Sequence, residues 1–165
     1  MSLPRHLAAV AALAAAATAL TATPAASATA APTAVNRRAQ VIKLTNAERT
    51  KAGCPKLKSN AALGKAARRH SADMANHDFV GHNGSGGSTL VSRAQAAGYT
   101  GWRALAENVA GGQQTPKAVV KGWMNSPGHR ANILNCSLKH IGVGYAKKSG
   151  TRYGTYWTQD FGAKL

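Results

Sequence analysis

The chain carries two cysteines, Cys54 and Cys136, separated by 82 positions in 165 residues. Whether they pair depends on the compartment, and the N-terminus speaks to that. Residues 1–28 have a basic start (Arg5, His6), a long Ala/Leu/Val run and a small-residue end, Ala26-Ser27-Ala28. This pattern predicts a secretory signal peptide cleaved after Ala28, rather than a membrane span of the mature chain. In an oxidising compartment the only two thiols are expected to form a disulfide. Such a bridge ties the end of the first predicted helix to a segment far along the chain, and on the chain-entropy model stabilises by about 4 to 5 kcal/mol. A metal or redox role does not suit so isolated and widely spaced a pair.

Removing the leader leaves one ordinary domain with room for a core. Residues 29–38 read as a flexible lead-in and 39–165 as the folded domain, secreted and extracellular. Charge adds a second bound. Lys and Arg number 21 against 5 Asp and Glu, a formal net charge of +16 that loses one unit with Arg5. A strongly basic secreted protein is drawn to anionic cell-envelope polymers or lipids. Specific nucleic-acid recognition is not expected, because no binding motif is present and aromatic residues make up only 5% of the chain. The sequence leaves the oligomeric state open.

The most strongly signalled stretch is 115–135, TPKAVVKGWMNSPGHRANILN. Thr115 is a suitable N-cap and Pro116 is tolerated in a first helical turn. Val119, Val120, Trp123 and Met124 recur at helical spacing and point one apolar face inward. Pro127 and Gly128 predict that this helix stops near Ser126. His129 is then presented at a turn just past the helix end, anchored by Ile133 and Leu134. A histidine so held is a candidate site residue.

Elsewhere, residues 36–52 predict a first helix stopped by Gly53, and a second runs from a cap at Ser59 or Asn60 to about Asn76. His70 falls on its inward stripe with Leu63, Ala66, Ala67 and Met74. His77 suits an exposed helix end, where a cation meets the negative end of the helix dipole. His82 lies in a Gly-rich loop that Phe79 and Val80 can dock, free to face a cleft or solvent. A short helix over about 89–97 precedes an extended segment, 104–112, that contains Glu107. A carboxylate among Ala, Leu and Val must be paired, hydrogen-bonded or protonated. Either Glu107 and Asn108 secure a tight junction, or Glu107 faces histidines across a cleft. Residues 140–162 predict a hairpin turning at 148–150, with Gly142 and Gly144 marking close backbone approach or a bend. Helices followed by strands predict an α+β fold with helices on both faces of a small antiparallel sheet.

Taken in order, AARRHSADMA, FVGHNG, AENVAGG, WMNSPGHRANIL, HIGVGYA and YWTQDFG closely resemble the secreted CAP superfamily (cysteine-rich secretory, antigen 5 and pathogenesis-related proteins), most nearly its bacterial SCP-like branch. The resemblance spans about residues 39–162 and implies a three-layer α-β-α sandwich with a central cleft. It also implies a cleft in which two histidines and two acidic residues can hold zinc or another divalent cation. His82, Glu107 and His129 match three of those positions. Ser126 stands at the second acidic position, and Ala106 replaces the usual glycine before Glu107. Asn108, Ser126 and His70 are expected to support the cleft.

Two imidazoles and a carboxylate with an open fourth position make a credible zinc set. The expected function is a noncatalytic binding or effector module, whose cleft holds a divalent metal or a small apolar ligand. The first alternative is a hydrolase working through a metal-bound water, or through Ser126 as nucleophile, His129 as base and Glu107 as orienter. HExxH and the Gly-x-Ser-x-Gly elbow are both absent. The second alternative is a basic envelope-adhesion protein.

Overall fold

A computed structural model describes residues 33–165, with Met1 before them. The predicted signal peptide after Met1 and the first part of the predicted lead-in lie outside the described residues. The chain divides into two units, Met1–Ala30 and Ala31–Leu165, and the fold below is that of the second.

Helix α1 spans Ala34–Lys51, and Thr33 caps it by accepting a hydrogen bond from the Asn36 amide. The helix thus begins two residues ahead of its predicted start at 36, within the stretch also read as lead-in, because Thr33 supplies a cap there. A two-residue strand β1 (Lys58–Ser59) follows, then α2 (Ala61–His77), α3 (Leu90–Ala96) and β2 (Trp102–Gly111). Helices α4 (Pro116–Met124) and α5 (Pro127–Ile133) come next, and strands β3 (His140–Lys147) and β4 (Thr155–Lys164) close the chain. The strand order is β1-β3-β4-β2. β4 pairs antiparallel with both β2 and β3, but β1 runs parallel to β3. The sheet is thus mixed rather than wholly antiparallel, because the chain crosses over through α2–α5 between its first and third strands.

Side-chain alternation along β3 and β4 separates two layers. Ile141, Val143, Trp157 and Phe161 join Val41 of α1 and Val119, Val120, Trp123 and Ile133 of α4 and α5 in the larger core. On the other face Met74, Ala75, Val109 and Tyr156 form one cluster, and Leu63, Ala94 and Tyr99 another. The α-β-α sandwich follows from this division. At two points the backbones of α2 and β3 approach each other directly. A Cβ on Gly142 would fall 2.2 Å from the Gly64 nitrogen, and one on Gly144 would fall 2.1 Å from the Ala67 oxygen. These two glycines allow helix and strand backbones to touch, the close approach that their placement in a strand signals.

Cys54 and Cys136 form the expected disulfide, with a Cα–Cα distance of 5.0 Å. Beside it the fully buried Arg49 donates to the carbonyls of Pro55 (2.9 Å), Ile133 (2.7 Å), Asn135 (2.8 Å) and Leu138 (3.2 Å). The bridge and this guanidinium hold the end of α1 to the end of α5. Among the described residues no helix is long and apolar enough to cross a membrane.

Candidate functional site

β2 is an edge strand, so the helical layers on the two faces of the sheet meet beyond it. The loop after α2 brings His82 there from one layer, and α5 brings His129 from the other. His129 does not sit at a turn past a helix end. Pro127 ends α4 but also occupies the first position of α5, where its missing amide costs nothing, and Ser126 is the N-cap. His129 is accordingly in the first turn of a new helix.

Glu107 is buried and both its oxygens are taken. Oε1 lies 2.9 Å from His82 Nδ1, and Oε2 accepts from Arg93 Nη2 at 2.6 Å. Glu107 faces His82 and locks α3 to β2 through the Arg93 side chain, rather than through backbone groups of a junction. His82 itself is largely exposed. His129 is half-buried, and burial together with the nearby His82 holds its imidazole below the usual histidine range.

Asn108 and Glu107 point to opposite sides of β2, and Asn108 ties the second layer to the strand. Its Nδ2 donates to the His129 carbonyl (3.1 Å) and to Gln159 Oε1 (3.1 Å). Its Oδ1 accepts from Asn132 Nδ2 (2.9 Å), which also reaches the Glu107 carbonyl (3.2 Å). Gln159 Nε2 in turn donates to Thr45 Oγ1 at 2.7 Å. This buried relay fixes α5, and hence His129, against the sheet. His70 does the same for the opposite wall: its Nε2 donates to the Gly81 carbonyl at 2.7 Å, one residue before His82. Burial lowers the His70 pKa, which suits a neutral ring in that role. His77 is exposed and pairs with Asp73 at 2.9 Å, apart from the cleft.

Three participants have no assigned role in the sequence reading: Arg93, Asn132 and Asp160. Asp160 is fully buried directly across the strand pair from Glu107, and neither of its oxygens has a hydrogen-bond partner among the described residues. Burial and the adjacent Glu107 push its carboxyl well above the usual carboxylate range, so it is held as the neutral acid. A signal was available in Thr-Gln-Asp, a polar run inside an otherwise aromatic strand.

The trio of His82, Glu107 and His129 does not fit a metal in this arrangement. Glu107 already has one oxygen on a guanidinium and the other on His82. Among the described residues no group of three or more His, Cys, Asp or Glu side chains gathers closely enough to hold an ion. Ser126 makes no side-chain hydrogen bond to His129, so the histidine does not activate it. Ser126 and His129 instead border a cavity of about 280 Å³ lined by Val109, Ala110, Val119 and Trp123.

A sequence profile described as the cysteine-rich secretory protein family matches residues 42–161. The uncharacterized protein YkwD of Bacillus subtilis is 41% identical over 132 residues, which cover 79% of this chain and 49% of YkwD. The chain thus spans about half the length of that relative. A solved extracellular protein containing an SCP domain from Bacillus anthracis superposes with a TM-score of 0.69 at 31% identity, over 78% of this chain and 40% of that one. An outer surface protein of Borrelia burgdorferi, 21% identical, shares the fold with a TM-score of 0.68 over 76% of this chain and 90% of its own.

Proposed function

The chain belongs to the cysteine-rich secretory protein (CAP) family, and we propose that it acts outside the cell as a noncatalytic binding module whose cleft takes a small, mainly apolar ligand. The observation that carries this reading is the state of Glu107. With one oxygen on Arg93 and the other on His82, it is not free to coordinate an ion or to serve as a general base. Ser126 has no activating contact, which removes the serine route to hydrolysis. What remains is the cavity beside β2, whose lining includes apolar Val109, Val119 and Trp123 and polar Gln113 and His129. Such a lining suits an apolar body with one polar end. The extracellular description of the Bacillus anthracis protein supports placement outside the cell.

Octanoate titrated against tryptophan fluorescence tests the proposal. Saturable binding is expected in the parent protein and its loss in Gly122→Leu, since a Cβ at Gly122 meets nothing within 4 Å and the residue lines the cavity. Turnover of a p-nitrophenyl ester that disappears in Ser126→Ala or His129→Ala would overturn it. The net charge of +16 favours a second, compatible reading as an envelope-adhesion protein. Adhesion of that kind falls steeply with salt and is indifferent to His129→Ala.

A further inference from the structure

At the opposite edge of the sheet, beside β1, lies a cavity of about 210 Å³ whose lining includes Arg38, Ser59, Gly64, Arg68 and Gly142. Two guanidinium groups border it, one from α1 and one from α2. Arg68 folds back along its own helix, so that its Nη1 would stand 3.1 Å from a Cβ at Gly64. That glycine leaves the space the guanidinium occupies. Neither Arg38 nor Arg68 makes a hydrogen bond or ion pair among the described residues. Burial, and after it the nearby charge of Arg68, lower the pKa of Arg38.

The protein has no carboxylate side chain to spare for them. All five are committed elsewhere: Glu48 to Lys51, Asp73 to Ser85 and His77, Asp78 to Tyr156 and the Arg152 amide, Glu107 to His82 and Arg93, and Asp160 buried beside Glu107. Two like charges converging on one cavity repel unless an anion stands between them. Planar guanidinium forks match the geometry of a tetrahedral oxyanion. The second and third amides of α2, at Ala62 and Leu63, are already capped by Asn60 Oδ1, so the side-chain donors at the cavity are the two arginines together with the free hydroxyl of Ser59.

We infer that the Arg38–Arg68 cavity is a binding site for a phosphate-type oxyanion, supplied either as a free phosphate or as a phosphodiester unit of an anionic polymer. The site is independent of the cleft at β2, and it stands or falls separately from the proposal made for that cleft.

The test uses the ¹⁵N-labelled protein at constant ionic strength, titrated in one arm with inorganic phosphate and in the other with poly(glycerol phosphate). Saturable shifts of the Arg38 and Arg68 Nε–H signals are expected. Arg38→Ala and Arg68→Ala should each weaken binding by about tenfold, the scale of a lost charge-assisted contact. Arg69→Ala removes the same charge from an exposed position outside the cavity lining and should change affinity by less than about twofold. Gly64→Ala leaves every charge in place but puts a methyl where the Arg68 guanidinium lies, and should also weaken binding. Response in the phosphate arm identifies a free or terminal phosphate as the ligand. Response only in the polymer arm, with the same dependence on Arg38 and Arg68, identifies the diester. If neither ligand moves the Arg38 and Arg68 signals, or if Arg69→Ala weakens binding as much as Arg68→Ala, the site does not exist.

Discussion

Arg93 Nη2 stands 2.6 Å from Glu107 Oε2, with the two side chains 7% and 2% exposed. Removing one member of such a pair leaves the other charged, buried and uncompensated. Arg93→Ala should therefore destabilise the fold by about 3 to 5 kcal/mol. Arg93→Ala combined with Glu107→Gln should recover part of that loss, and urea unfolding of the four proteins in the cycle measures the recovery. Strict additivity of the two single effects would show that the pair is not coupled.

The same pair leads to a prediction about zinc. Calorimetric titration of zinc into the metal-stripped protein at pH 7.5 should give no stoichiometric site that depends on His82, Glu107 and His129. A one-to-one heat lost in both His82→Ala and His129→Ala would mean that zinc displaces Arg93 from Glu107, contrary to the arrangement described above.

Asp160 makes stability depend on pH in an unusual direction. Its folded-state pKa is raised, so its contribution is complete below the unfolded value of 3.8 and is lost as pH rises through the folded value. Asp160→Asn keeps the size but cannot ionise. It should stabilise the protein at pH 8 by at least about 1 kcal/mol, the worth of one pKa unit, and change little at pH 3.5. Thermal melts at the two pH values decide the matter, and equal effects at both would count against a neutral Asp160.

Arg49 shows no solvent exposure, and its four carbonyl partners come from two separate stretches of chain, Pro55 and residues 133–138. A lysine cannot reproduce that fork. Arg49→Lys should cost about 2 to 4 kcal/mol, because carbonyls are left unpaired and an ammonium is buried with fewer partners. Chemical denaturation gives the figure directly, and a loss below about 0.5 kcal/mol would show that the network is dispensable.

The disulfide closes a separation of 82 residues. Replacing both Cys54 and Cys136 by Ala should lower stability by about 2 to 5 kcal/mol. With Arg49 already holding the same two helix ends, the native fold should persist, and far-ultraviolet circular dichroism of the double variant below its melting temperature should match that of the parent.

The sequence was legible where a residue type has few alternatives. Thr115 caps the helix it was expected to cap, and of the two caps offered for α2, Ser59 and Asn60, it is Asn60 that does so, because a short polar side chain ahead of an apolar periodic run has little else to do. Gly142 and Gly144 were readable as close approach for a similar reason. Pro127 was harder, since a proline that ends one helix carries the same local signal as a proline that begins another. The parallel pairing of β1 was not readable, because two residues carry no periodicity. At the site, His82, Glu107 and His129 stood out by type and motif. The ion-pair partner of Glu107 did not, since Arg93 precedes it by 14 positions on a different element and only the tertiary fold brings them together.

The bare contact between α2 and β3 has a mechanical consequence. Where backbones touch through Gly142 and Gly144, the spacing between helix and sheet is set by peptide atoms, and no exchange of core side chains can loosen or tighten it. α2 therefore serves as a fixed datum from which the loop bearing His82 is launched. The opposite wall is set by a different device, the hydrogen bonds from Asn108 to α5, so a change in the cleft's width among variants of this chain should follow substitutions of Asn108 or Asn132 rather than exchanges of apolar core residues.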